Sequence, residues 1–248
     1  MSDNSADKRN ILMLCSNTAT SPATGWPIGF WWAELTHAYK VFEEAGYDVT
    51  IASPDGGDLM GDSYSDPEDP SGYSADDEIS LAFKKDRVKA ALLNSTPSMA
   101  DLDLGSFDAL FIVGGQGPMV TMIDDHRVHS AFAAQMEAGK VAAAVCHGTC
   151  ILLEARGMDG ELLVKDREWT GFANSEEEYS EQAAGQKIQP FWIESEARKI
   201  SDTTFTVKDA LTEHVIVDGN LVTGQQQVSS AAAAREVVAI LSGDTPAD

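Results

Sequence analysis

The stretch Val141-Ala-Ala-Ala-Val-Cys-His-Gly-Thr-Cys-Ile-Leu-Leu-Glu154 carries the residues of this chain best suited to covalent chemistry. The small apolar residues before Cys146 predict a central parallel strand covered on both faces, and Gly148 with Ile151, Leu152 and Leu153 predicts a helix packed against it. Ala144 and Gly148 stand two before and two after Cys146, the spacing that lets a nucleophile elbow close without side-chain collision. Such a turn is expected to thrust Cys146 outward at a helix N-terminus, where backbone N–H groups and the helix dipole favour thiolate over thiol. Most free cysteines are small buried apolar side chains. Here the strand, the elbow spacing and the adjacent His147 together favour a nucleophile, whereas Cys15 and Cys150 are expected to pack.

Other groups able to take part lie at the ends of further apolar runs. Glu34 opens a helical period over residues 33–45 and follows Trp26, Phe30, Trp31 and Trp32, which sit in a loop punctuated by Pro22, Gly25, Pro27 and Gly29. That loop leaves the carboxyl end of a strand, where open α/β sheets bind ligands, so the rings either line a pocket that keeps Glu34 partly dry or pack on the core or a second copy. Gly114-Gly-Gln-Gly-Pro118 follows the apolar run Ala109–Val113. Glycines there are turn residues or let backbone N–H groups approach a ligand oxygen. Glu176, Glu177 and Glu178 read as a solvated first helical turn, and His126 and His129 as surface residues.

The elements that must position these residues follow from apolar spacing. Strands over 10–16, 47–53, 109–113 and 141–145 alternate with helices over 33–45, 79–93 and 128–138, which predicts an α/β fold with right-handed parallel crossovers. Residues 54–78, rich in Asp, Gly, Pro and Ser, are expected to be a surface excursion. Further short strands are expected at 162–164, 205–207, 214–217 and 221–223, with a hairpin turn at Asp218-Gly219 and a closing helix over 229–241. The 248 residues suit one α/β domain, with residues 1–9 as a polar, flexible tail.

Forty acidic residues against 17 basic ones give a formal charge of −23, which argues against nucleic acid or an anionic membrane as partner. The acidity is spread along the chain, as on a solvated surface or one adapted to high salt. No run approaches the length of a membrane span and the N-terminal residues are polar, so a soluble cytoplasmic protein is expected. Three cysteines do not suggest a disulfide framework. No phosphate loop, paired-cysteine motif or His-Glu-x-x-His motif is present, so the sequence calls for no metal and no cofactor.

Four segments carry a family resemblance: Ala143-Ala-Val-Cys-His-Gly148, Val113-Gly-Gly-Gln-Gly117, Thr170-Gly-Phe-Ala-Asn-Ser-Glu-Glu-Glu178 and Asp218-Gly-Asn-Leu-Val-Thr-Gly-Gln225. With them the chain, from Ile11 to about Leu241, resembles the PfpI superfamily of class I glutamine-amidotransferase-like proteins, which includes the Parkinson-associated deglycase. Within it, the chain is most similar to the glyoxalase III and heat-shock chaperone branch. The resemblance implies a flavodoxin-like three-layer sandwich, a small aldehyde as substrate and a homodimer. It implies Cys146 as nucleophile with His147 beside it, Glu34 as the glutamate that bonds the cysteine, and Glu177 as the acid that orients the histidine, Glu176 being its nearest rival. Gly115, with Gly114 beside it, and His147 would supply oxyanion N–H groups.

Two departures from the resemblance surround the presumed pocket: Gln116 where many relatives carry histidine, and Gly224-Gln-Gln-Gln-Val-Ser-Ser230 in place of Gly-Gln-Asn-Pro-Ala-Ser-Ser. The reading is therefore a cysteine-dependent enzyme that turns a 2-oxoaldehyde into a 2-hydroxy acid without glutathione, with deglycase-like action close to it. A stress chaperone or redox sensor with an oxidisable Cys146 is the rival from another class. An amidohydrolase or peptidase ranks lower, since His214-Val-Ile lacks the His-x-Glu pattern that an ammonia-releasing triad needs.

Overall fold

Apolar residues alternate along the central strands in a way that fixes two packed faces. Strands β1 (Asn10–Leu14), β2 (Asp48–Ala52), β3 (Ala109–Ile112), β4 (Val141–Val145), β5 (Val215–Asp218) and β6 (Leu221–Gly224) form one six-stranded sheet in the order β2-β1-β3-β4-β6-β5. All pairs are parallel except β5 with β6, which form the expected hairpin, so the sheet is mostly parallel. Ile11, Met13, Phe111, Ala143 and Val145 face one core; Leu12, Leu14, Ile112, Ala142 and Ala144 face the other. That period of two on both sides is what a doubly covered sheet requires.

Helices α1 (Trp32–Glu44) and α5 (Ser230–Ser242) cover the first face through Leu35, Ala38, Phe42, Ala233 and Val237. Helix α3 (His126–Glu137) and the segment Cys146–Leu153 cover the second through Val128, Phe132, Cys150 and Ile151. Each fully buried Leu, Ile or Phe side chain in these layers contributes roughly 1.5–3 kcal/mol. The result is the flavodoxin-like three-layer sandwich. The computed structural model describes residues 8–243; of the expected tail, residues 1–7 lie outside them. Lys8 pairs with Asp48 and Arg9 with Asp108.

Several elements differ from expectation. The helix expected over 79–93 is two, α2 (Glu78–Lys85) and a single turn at Arg87–Ala91. Asp86 divides them because its carboxylate accepts the N–H groups of Val88 and Lys89, at 2.9 and 3.3 Å, and starts a new helix. Residues 162–164 form a turn with one bridge from Leu162 to Arg156, and Thr204–Phe205 pairs with Glu168–Trp169 in a separate small ladder. His129, expected at the surface, is buried on the inner face of α3, while His126 is exposed.

Residues 54–78 are mostly exposed and fold back against the aromatic loop. Gly61 bridges Phe30, the Ser65 hydroxyl accepts the Trp32 N–H at 3.1 Å, and the Asp62 carboxylate accepts the N–H groups of Gly29 and Gln116 at 2.9 and 2.7 Å. Short acceptor side chains hold this polar segment where apolar anchors are few.

Candidate functional site

Sheet hydrogen bonding stops at Val145, and the chain turns at Cys146 into a 3₁₀ helix, Cys146–Leu153. Cys146 makes the turn with φ of 54°, a left-handed conformation that costs a non-glycine residue about 1–2 kcal/mol. Gly114 and Gly115 make room for it. A Cβ on Gly114 would collide with the Glu34 carboxyl and Cys146 Cβ, and one on Gly115, at φ of 106°, would sit 2.6 Å from the backbone of Gly29, Phe30 and Trp31.

Around the sulfur the structure brings together Cys146, His147, Glu177 and Glu34. Cys146 Sγ lies 3.5 Å from His147 Nδ1, and His147 Nε2 lies 2.9 Å from Glu177 Oε1. A carboxylate can only accept, so Nε2 carries a proton toward Glu177 and Nδ1 is left facing the sulfur. Phe172 packs on the imidazole with ring centroids 4.1 Å apart, which fixes the ring from its face. Glu176 does a different job from its neighbour: its carboxylate accepts the Ala173 and Leu211 N–H groups at 3.1 and 3.0 Å, tying the start of helix α4 (Asn174–Ala184) to the segment around Leu211. Glu176 and Glu177 are both buried, so the expected solvated cluster reduces to Glu178.

Glu34, on the first turn of α1, is wholly buried, and neither of its oxygens has a partner of good hydrogen-bond geometry. Burial pushes its pKa up to about 8 against the opposing pull of the Cys146 side chain and the Gly114 N–H. The expected outward-facing thiolate is corrected on two counts. Cys146 is 2 % exposed, and burial, then the charge and hydrogen bonding of Glu34, push its thiol well above the ordinary value. The N–H groups of His147 and Gly115 pull the other way and are outweighed, because desolvation of a sulfur anion exceeds what two donors at a short helix return. Burial therefore favours the neutral carboxyl of Glu34 and the neutral thiol of Cys146 near neutral pH. Cys15 and Cys150 are packed, as expected, with burial raising both thiols.

Above Cys146 opens a cavity with about 930 Å³ of empty space including its mouth. Trp26 and Trp31 line it, while Phe30 and Trp32 pack in the core beside Phe83, so the aromatic loop divides between the two expected roles. Sequence reasoning missed Tyr64 and Tyr73 on the folded-back segment, Phe172 and Tyr179 on the opposite wall, and Asp62 beneath. Burial raises the Asp62 pKa to about 7 against the pull of its two N–H donors. Asp62 carries no sequence pattern beyond the taste of aspartate for backbone donors in turns, and the aromatic residues are far apart in the chain. Among the described residues, no three His, Cys, Asp or Glu side chains converge as metal ligands would, and no helix is long and apolar enough to cross a membrane.

A mostly parallel sheet with helices on both faces, its central strand ending in a cysteine at a strand-to-helix turn, defines a flavodoxin-like α/β protein built around that turn. The DJ-1/PfpI family matches residues 29–240, and the chain belongs to that family. Glyoxalase 3 of Candida albicans is 25% identical over 233 residues, covering 92% of this chain and 96% of the relative. A probable glutathione-independent glyoxalase of Schizosaccharomyces pombe is 25% identical over 259 residues, covering 95% of this chain and 99% of the relative. The crystal structure of glyoxalase III from Candida albicans superposes with a TM-score of 0.76 at 25% identity, over 93% of this chain and 96% of that one.

Proposed function

We propose that this protein is a cysteine-dependent, glutathione-independent glyoxalase that converts a 2-oxoaldehyde and water into a 2-hydroxy acid. The observation that carries the reading is the continuous line from Cys146 Sγ through His147 to Glu177, at 3.5 and 2.9 Å, on the cavity wall with the Glu34 carboxyl buried beside the thiol. The names of the relatives point the same way.

The Cys146 sulfur adds to the aldehyde carbon while its proton passes to the carbonyl oxygen, giving a hemithioacetal. The N–H groups of Gly115 and His147, which face the sulfur, are placed to stabilise the oxygen charge that develops there. Glu34 or His147 removes the hydrogen on that carbon as a proton and returns it to the neighbouring carbon through an enediol. A thioester of the 2-hydroxy acid results, and water cleaves its C–S bond to restore the thiol. The aldehyde carbon is oxidised and the neighbouring ketone carbon reduced by the same amount, so no outside oxidant or reductant enters. Glu177 holds the imidazole in the orientation the transfers need.

Burial weighs against the redox-sensor alternative, since readily oxidised sensor thiols are exposed and of low pKa. The test is product analysis with 2-oxoaldehydes for the parent, Cys146→Ala and Glu34→Gln. Formation of the 2-hydroxy acid by the parent and its loss in both variants is expected; an unaffected Cys146→Ala protein removes the covalent mechanism.

A further inference from the structure

The cavity above Cys146 is partly open to solvent, so a substituent longer than a methyl group can extend from the sulfur along its wall toward the mouth. Six aromatic side chains stand in its walls. On one side Trp26, Tyr64, Tyr73 and Trp31 form a chain of rings with successive centroids 6.0, 6.5 and 6.2 Å apart, tilted at the first contact and edge-to-face at the other two. Phe172 and Tyr179 come from the start and middle of the facing segment. Tyr64, Tyr73 and Tyr179 remain 42 %, 47 % and 51 % exposed, so much of their apolar surface is still open to a ligand.

The polar groups of the cavity narrow the choice further. No lysine or arginine lines it, so nothing there would pair with a carboxylate or phosphate on the substrate. Glu177 is engaged by His147 and Glu176 by backbone N–H groups, and the overall charge of −23 repels anions on approach. Gln116 is differently placed: it lines the cavity, and its side-chain oxygen is buried without a partner. An amide at that position can turn its NH₂ toward an acceptor, which suits a second carbonyl oxygen next to the one that Cys146 attacks.

We infer that this site selects an uncharged 2-oxoaldehyde bearing an aryl ring, with the dicarbonyl head between Cys146 and Gln116 and the ring between the Trp31–Tyr73 wall and Phe172. The inference rests on the glyoxalase reading for its chemistry and on the cavity wall for its selectivity. Offset and edge-to-face contacts with several rings favour an aryl substituent over a methyl group.

The experiment compares kcat/KM for phenylglyoxal and methylglyoxal in the parent, Tyr73→Ala and Tyr179→Ala, both at partly exposed positions, with Met158→Ala outside the cavity as control. The parent is expected to favour phenylglyoxal by about tenfold or more, and each tyrosine variant to lower that ratio about three- to tenfold. The control leaves the ratio as in the parent. Equal or better use of methylglyoxal by the parent, or a ratio untouched in both tyrosine variants, overturns the inference. Should the parent turn over neither aldehyde, the glyoxalase reading falls, and selectivity is then read by calorimetry on Cys146→Ala with the unreactive analogues 2-hydroxyacetophenone and hydroxyacetone. Binding of the aryl analogue at least tenfold tighter supports the inference, and equal binding overturns it.

Discussion

The Glu34 carboxyl and the Cys146 thiol are buried beside each other: Glu34 raises the proton affinity of the sulfur, while burial raises that of the carboxyl against the opposing pull of Cys146. With Glu34 pushed up to about 8 and Cys146 higher still, the resting pair keeps a proton that an isolated surface pair would have lost. Glu34→Gln removes the negative charge while keeping the shape. The alkylation midpoint of Cys146 is therefore expected to move to lower pH in this variant, and 2-oxoaldehyde turnover to fall about 10²–10⁴-fold because a proton-transfer group is gone. Iodoacetamide labelling rates across pH, read by intact mass, check the first part; a midpoint that stays put or rises counts against an upward influence of Glu34 on the thiol.

Glu34 and Asp62 also set how stability depends on pH. Their folded-state values, about 8 and about 7, lie above the ordinary 4.5 and 3.8, so between those limits the folded protein binds more protons than the unfolded chain. Stability is accordingly greatest at the acid side of that window and is lost as pH rises toward 8. Urea unfolding at pH 5, 6, 7 and 8 should show the decline, and Glu34→Gln and Asp62→Asn should each flatten it. A flat or rising profile in the parent would contradict both shifts.

The sheet and Cys146 were legible because each leaves a local mark: small residues on both sides of an elbow, and apolar runs whose length and composition match covered strands. The dry setting of Glu34 was legible in the aromatic loop before it, whereas Glu177 was reached through motif resemblance and its burial was not legible, since a glutamate in a helix's first turn reads the same whether it meets solvent or an imidazole. What joins Tyr64, Tyr73, Trp31 and Tyr179 into one cavity is the fold-back of residues 54–78. That contact rests on Asp62 and Ser65 accepting backbone N–H groups from distant residues, and such bonds have no sequence period. The misplaced thiol pKa has a similar origin: the helix start was visible, but the depth of the sulfur depends on everything packed above it.

Glu177→Gln tests the orienting role directly. The amide can present a donor to His147 Nε2, which would turn the imidazole to the wrong tautomer and leave Nδ1–H facing the sulfur. Turnover is expected to drop about 10²–10⁴-fold with a much smaller change in KM. Combined with His147→Ala, the losses should be far from additive, because both act on one ring. Additive losses in the double variant would separate Glu177 from His147.

Gly115→Ala should unseat the aromatic loop. Its φ of 106° is strained for alanine, and the added methyl would lie 2.6 Å from the backbone of Gly29, Phe30 and Trp31, atoms that cannot swing aside as a flexible side chain could. The Trp31 N–H to Gly114 carbonyl bond, at 3.1 Å, and the Gly117 N–H to Gly29 carbonyl bond, at 2.9 Å, span the same contact and are expected to break with it. A loss of about 2–4 kcal/mol in urea unfolding should accompany a shift in tryptophan emission from Trp26 and Trp31. Gly25→Ala is the matched control: it also carries a positive φ, 74°, but its added methyl meets nothing within 4 Å, so strain alone should cost it about 1–2 kcal/mol. Equal losses in the two variants would show that backbone strain, and not the close approach of the loop to Gly115, sets the penalty.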